Sequence, residues 1–302
     1  MQDPWHGGSE KKSAALVLRT LPGGVAMCVI GVCALVACTT DPGSEPDSPE
    51  TAGVHTSEIA TNSRVRYKVG RWDGRVRDHL AVRRGNAILM DTNDGGGADL
   101  TQVYGNGNAE DQYLFGDWDE SGVDHPAVRR GNLILKDTNR DGVVAQNFGN
   151  GNAEDQYLVG QWSPFDLADH IAVRRGNVIV FSFLDDDIGD FTLVYGNGNS
   201  EDEYLTGDRD GDGFGDIAVR RGNLILWQTN IFGALIGRGP PRSVSDVYGN
   251  GNSEDEYLVG DWNGTFDAKL AVRRGNVILM DFNHDGIADK TVVYGNGNSE
   301  TP

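Results

Sequence analysis

The 302-residue chain carries 45 acidic against 26 basic residues, a formal net charge of −19, with 38% hydrophobic residues, 42 Gly and only 3 Cys. This composition excludes a collagen, a coiled coil and a disulfide-stapled mini-protein. It argues against a nucleic-acid groove, which needs Lys and Arg against phosphate, and suits either uptake of divalent cations or plain solubility.

Lys11, Lys12 and Arg19 precede an apolar run from Val25 to Val36, broken only by Gly31. The run is shorter than the roughly 20 residues that span a bilayer and has the basic-then-apolar order of a secretory signal. It ends in Leu35-Val36-Ala37-Cys38, which resembles the bacterial lipobox. That resemblance implies a signal peptide over 1–37, a lipid on the Cys38 thiol, and anchoring in the membrane at the bacterial cell surface. The alternative is an uncleaved anchor with a coincidental cysteine. Residues 38–63, rich in Pro, Ser, Thr and acid without an apolar period, read as a flexible tether.

The remainder, 64–302, is a repeat. Ala-Val-Arg-Arg-Gly-Asn begins at Ala81, Ala127, Ala172, Ala218 and Ala271, in steps of 46, 45, 46 and 53 residues. Tyr/Phe-Gly-Asn-Gly-Asn begins at Tyr104, Phe148, Tyr195, Tyr248 and Tyr294. In the second copy the short β-branched or aromatic pieces are Tyr113–Gly116 with the following Trp118, His125–Arg130, Leu133–Lys136 and Val144–Phe148. Gly, Asn and Asp bound each piece, and no helical period competes. Four strands in about 46 residues make one propeller blade. The expected fold is all-β: a five-bladed β-propeller with four antiparallel strands per blade, with a β-solenoid as the alternative.

Asp208, Asp210, Asp212 and Asp216 stand at positions 1, 3, 5 and 9 of one loop, with Phe214 at position 7. This spacing turns side-chain oxygens and one carbonyl toward a point, which suits Ca²⁺. Asp281, Asn283, Asp285, Ile287 and Asp289 repeat it, and Asp137, Asn139 and Asp141 form a partial copy. The same loops also read as metal-free Asx-turns. The stretch Gly207–Val219 resembles the FG-GAP or VCBS-type repeat of integrin-α-like β-propellers. That resemblance implies a propeller, calcium in the hairpin loops, and a surface role in adhesion or recognition. Other copies depart from the motif. The first has Arg71, Asp73, Arg75 and His79, the second ends in His125 and the fifth in Lys269.

The recurring Trp118, Trp162 and Trp262 read as packing between blades or as faces for stacking on a sugar. Asn106, Asn150 and Asn197, in the Gly-Asn-Gly-Asn turns, are further candidate ligand contacts or plain turn residues. Strand neighbours point to opposite faces, so one Arg of each pair is expected to reach an adjacent blade and form a bidentate pair there, for example with Glu154 or Asp155. The longer fourth step leaves an insertion over 230–243. Its Ile231, Phe232, Leu235 and Ile236 form either a contact surface or a cover for a blade edge. No Ser-His-Asp set, zinc spacing or phosphate loop is present. The sequence therefore predicts a lipid-anchored, calcium-stabilised binding module for carbohydrate or a protein partner. An extracellular glycoside hydrolase and a purely structural surface protein are the alternatives.

Overall fold

The computed structural model describes residues 67–108, 111–138, 142–199, 202–253 and 255–297. Cys38 and the segments expected to be a signal peptide and a tether lie outside them, as do Asn139 and Asp141. Each repeat folds into its own four-stranded antiparallel sheet, with strands side by side in chain order. The first blade is β1 (Tyr67–Gly70), β2 (His79–Arg84), β3 (Ala87–Asp91) and β4 (Leu100–Val103). The second is β5 (Gln112–Gly116), β6 (His125–Arg130), β7 (Leu133–Asp137) and β8 (Val143–Asn147). The third is β9 (Gln156–Gly160), β10 (His170–Arg175), β11 (Val178–Phe181) and β12 (Phe191–Val194). The fourth is β13 (Glu203–Gly207), β14 (Asp216–Arg221), β15 (Leu224–Thr229) and β16 (Arg242–Val247), and the fifth is β17 (Glu256–Gly260), β18 (Lys269–Arg274), β19 (Val277–Met280) and β20 (Lys290–Val293). The innermost strands β1, β5, β9, β13 and β17 touch in cyclic order. The protein is a five-bladed β-propeller.

The hairpin between second and third strands follows from two residues. Arg84 pairs with Ala87, so Gly85-Asn86 is the whole loop. Gly85 has φ 63°, the conformation a II′ turn requires at its first central residue and glycine adopts without a Cβ clash.

The apolar core lies between blades rather than within them. One cluster joins Leu114, Trp118, Ile134 and Phe148 of the second blade to Tyr157, Ile171 and Val173 of the third. Each seam repeats one polar device. The first Arg of each pair lies over the first-strand Tyr of the next blade: Arg129 on Tyr157, Arg174 on Tyr204 and Arg220 on Tyr257, each at 4.0 Å. Each such Tyr donates its hydroxyl back to the preceding blade, as Tyr113 does to the carbonyl of Tyr104 at 2.7 Å. Ring closure uses the same parts: Arg273 lies 3.9 Å from the Tyr67 ring, and Tyr67 donates to the carbonyl of Tyr294 at 2.7 Å.

One Arg of each pair thus faces the adjacent blade as expected, but the bidentate carboxylate pair belongs to the other Arg and stays inside the blade. This second Arg binds an Asp of its own blade: Arg130 to Asp111, Arg175 to Asp155, Arg221 to Asp202 and Arg274 to Asp255. Adjacent strand residues point apart, so one Arg serves the seam and the other ties down the segment that enters the blade. The insertion holds α1 (Ile231–Leu235). Ile231 and Phe232 are buried against Trp162, Phe181 and Phe183, whereas Leu235 and Ile236 are exposed. The insertion is thus half cover and half surface.

Candidate cation site in the fourth blade

The loop from Asp208 to Asp216 joins β13 to β14. Asp208 curls it: one carboxylate oxygen accepts the amides of Gly211 (2.8 Å) and Asp212 (3.1 Å), and the other accepts that of Gly213 (2.8 Å). Gly211 and Gly213 take φ of 70° and 91°, which an L side chain adopts only with strain. At the far end Asp216, fully buried, accepts the amides of Arg209 (2.9 Å) and Asn230 (3.1 Å). The fold thereby brings carboxylate oxygens of Asp208, Asp210 and Asp216 within 4.8 Å of one another. Among the described residues this is the one group of three or more potential metal-ligating side chains drawn so close.

The charges in this loop repel. Burial, and then the neighbouring carboxylates, push Asp208 up to about 7 despite its amide donors. Burial and the charge of Asp210 push Asp216 up to about 8. Burial also raises Asp212, whose Oδ2 is buried without a hydrogen-bond partner. A hard divalent cation is what such an oxygen set fits: Asp208, Asp210, Asp212 and Asp216, with the Phe214 carbonyl available at position 7.

The other blades answer the same loop from within the protein. Lys269, at the position of Asp216, is buried and donates to Thr265 Oγ1 and to both the carbonyl and carboxylate of Asp267, at 2.7 Å for the latter two. Asp261 lies 3.7 Å from the same ammonium. His79 contacts Asp94 at 3.2 Å and lies 3.9 Å from Asp73. His170 is held between Asp166 (2.8 Å) and Asp185 (3.3 Å). His125 faces Ser121 at 3.4 Å and Asp119 at 4.0 Å. Four blades thus carry a basic side chain where the fourth carries a carboxylate. Their departures from the sequence motif set an imidazole or an ammonium beside the loop's own carboxylates.

The second loop with the full spacing behaves differently. Asp281 is buried and accepts the amides of Asn283, His284 and Gly286 at 2.8–3.1 Å. Asn283 accepts from the amide of Asp285, Asp285 from that of Ile287, and Asp289 from that of Phe282. Each side chain is an acceptor within the turn, and Asp281, Asp285 and Asp289 do not converge as the fourth-blade set does. Asp137 is buried and accepts from Gln102 across the seam at 2.9 Å.

The tryptophans are core residues. Trp118, Trp162 and Trp262 are buried, and their indole N–H groups donate to the carbonyls of His125, His170 and Lys269 at 2.9, 2.9 and 3.1 Å. They offer no face to a sugar, which corrects the stacking reading. Asn106, Asn150 and Asn197 are exposed, and Asn150 borders a cavity.

Three carboxylates that each precede a second-strand His, a pairing the sequence gives no catalytic role, take a structural one. Asp78, Asp124 and Asp169 each accept an amide of the preceding blade, from Asp261, Arg71 and Asp117 at 2.8–2.9 Å. Their own amides donate back to the carbonyls of the same three residues. Burial, above all, raises all three, Asp169 to about 6. In the remaining blades the position holds Gly215 and Ala268. These acids act as staples across three seams.

No protein-family model and no curated protein matches the chain. Among solved structures it is similar to a chain from a crystal structure of BBS1N in complex with ARL6DN, soaked with mercury, at 15% identity and a TM-score of 0.34. The match covers 73% of this chain and 64% of that one.

Proposed function

We propose that this protein is a binding module displayed at a bacterial cell surface, lipidated at Cys38, whose propeller takes one Ca²⁺ in its fourth blade. The carrying observation is the convergence of Asp208, Asp210 and Asp216 in a loop that lacks the basic side chain present in the other four. The FG-GAP-like stretch Gly207–Val219 supports the same reading. Near-identical seams around a rigid ring suit recognition of a carbohydrate or a protein partner more than a single asymmetric catalytic centre.

The cation would neutralise the fourth-blade carboxylates and lock the turn between β13 and β14. A ligand that binds only the folded state raises stability by about 2.7 kcal/mol at a hundredfold excess over its Kd. Thermal unfolding of the protein in millimolar Ca²⁺ is expected to shift upward, and the shift to vanish in Asp210→Ala. A melting curve indifferent to both Ca²⁺ and EDTA would defeat the proposal.

A further inference from the structure

In three seams a tyrosine hydroxyl crosses to the next blade. Tyr104 donates to the carbonyl of Leu135, Tyr195 to that of Leu226 and Tyr294 to that of Leu89, at 2.8–3.0 Å. Between the second and third blades the corresponding residue is Phe148, and the facing third-strand residue is Val180 in place of Leu. One hydroxyl and one methylene are missing from the same spot. A cavity of about 490 Å³ opens there.

Its floor is apolar, from Phe148, Val173 and Val180, and its rim carries Asn150, Arg175 and Asp187. The rim is built rather than loose. Nε and Nη2 of Arg175 are bound to Asp155, and Asp187 accepts the amide of Asn147 at 2.7 Å, which pins the third-blade loop across the seam. The volume lies in the range of about 300–1,000 Å³ typical of small-molecule sites and well above the ~150 Å³ that holds a benzene ring.

We propose that this seam is a carbohydrate site that takes a neutral sugar, deepening the binding-module reading on which it rests. Arg175 is already neutralised by its bidentate pair with Asp155, so the rim presents no unpaired cation to draw an anionic ligand. A purely apolar ligand would strip water from Asn150 and from the donor and acceptor sites of Arg175 and Asp187 that their protein contacts leave open. A sugar ring lays its C–H face on the floor. Its hydroxyls, each donor and acceptor, meet an acceptor in Asp187, a donor in Arg175 and both in Asn150. The carbonyl of Val180 stands where the Leu carbonyls of three other blades receive a tyrosine hydroxyl, and it is a natural acceptor for a sugar hydroxyl.

The test uses the full chain and the methyl glycosides of glucose, galactose, mannose and N-acetylglucosamine as probes, read by saturation-transfer NMR and titration. At least one probe is expected to bind. Phe148→Tyr and Val180→Leu, which install what other blades already carry, are each expected to weaken it at least about tenfold without lowering the melting temperature. Binding by none of the probes overturns the proposal. So does binding that both variants leave unchanged, or capture only of an apolar peptide side chain. Neither variant touches the fourth-blade loop, so Ca²⁺-dependent melting remains a separate readout of the module reading.

Discussion

Lys269 and Asp216 occupy one position in two copies of the same unit, and their opposite charges give the two loops different requirements. In the fifth blade the ammonium sits among Asp261, Thr265 and Asp267; in the fourth, Asp216 adds a carboxylate to those already there. Replacing Asp216 by His should make the fourth loop resemble the first three, so that EDTA no longer changes the melting temperature. Retained EDTA sensitivity in Asp216→His would place the cation elsewhere. His170 gives a pH signature of its own. Burial disfavours its charged form, but Asp185 and Asp166 outweigh that, and the net direction is upward. A raised folded value means the proton is held more tightly in the native state. The stabilisation is therefore complete below the unfolded value of about 6.5 and fades as pH rises through the folded value. Compared in Ca²⁺-saturated buffer, the wild-type denaturation midpoint should fall between about pH 6 and pH 8 more steeply than that of His170→Asn. Parallel profiles would show that the imidazole stays neutral.

At the scale of elements, the strands were legible because Gly-Asn turns and β-branched runs recur at fixed spacing. The second-copy pieces differ from β5–β8 by no more than one residue at either end. The helix α1 was not legible, since five residues are too few to display a helical period. The insertion was recognised as apolar, but which of its side chains turn inward depends on Asn230, whose left-handed φ of 54° starts the turn that tucks Ile231 and Phe232 under. Phe232 packs edge-on against Phe181 and Phe183, with ring centroids 5.1 and 5.7 Å apart. Phe232→Ala should cost about 3–5 kcal/mol in urea denaturation, whereas Leu235→Ala, at an exposed position, should stay within about 0.5 kcal/mol. Equal effects from the two would mean that α1 packs by its other face. The spacing of acids in the loops did not by itself show which carboxylates converge, for a related reason. Both 208–216 and 281–289 have it, but only the first places its ninth residue in a buried strand start facing the other carboxylates. The cavity beside Phe148 was illegible, because its volume is set by how the lining of two blades and their loops comes together in the seam.

For the whole molecule, closure is the critical step, since an open ring would leave two inter-blade faces wet. The seam between the fifth and first blades has the same Arg–Tyr stack and tyrosine hydroxyl as the rest, together with Lys290 paired to Asp94 at 2.9 Å. Arg273→Ala should therefore destabilise the protein about as much as Arg220→Ala, since each guanidinium stacks on a tyrosine and binds a glutamate at 2.6 Å, the cation–π contact alone accounting for about 1–2 kcal/mol. A much smaller effect at Arg273, measured by denaturant midpoint, would mean that the ring closes weakly or opens before global unfolding.

Each sheet is made from one continuous stretch of chain, and the last seam shares its Arg–Tyr stack and returning tyrosine hydroxyl with the other four, so among the described residues no strand is borrowed to lock the circle. The ring has no structurally privileged first blade. A gene rearranged to begin at any Gly-Asn-Gly-Asn turn, its old ends joined by a short linker, would encode the same five contacts in rotated order. Growth or loss of blades by unequal recombination at those turns needs no new kind of interface, only a change in the angle at which similar wedges meet.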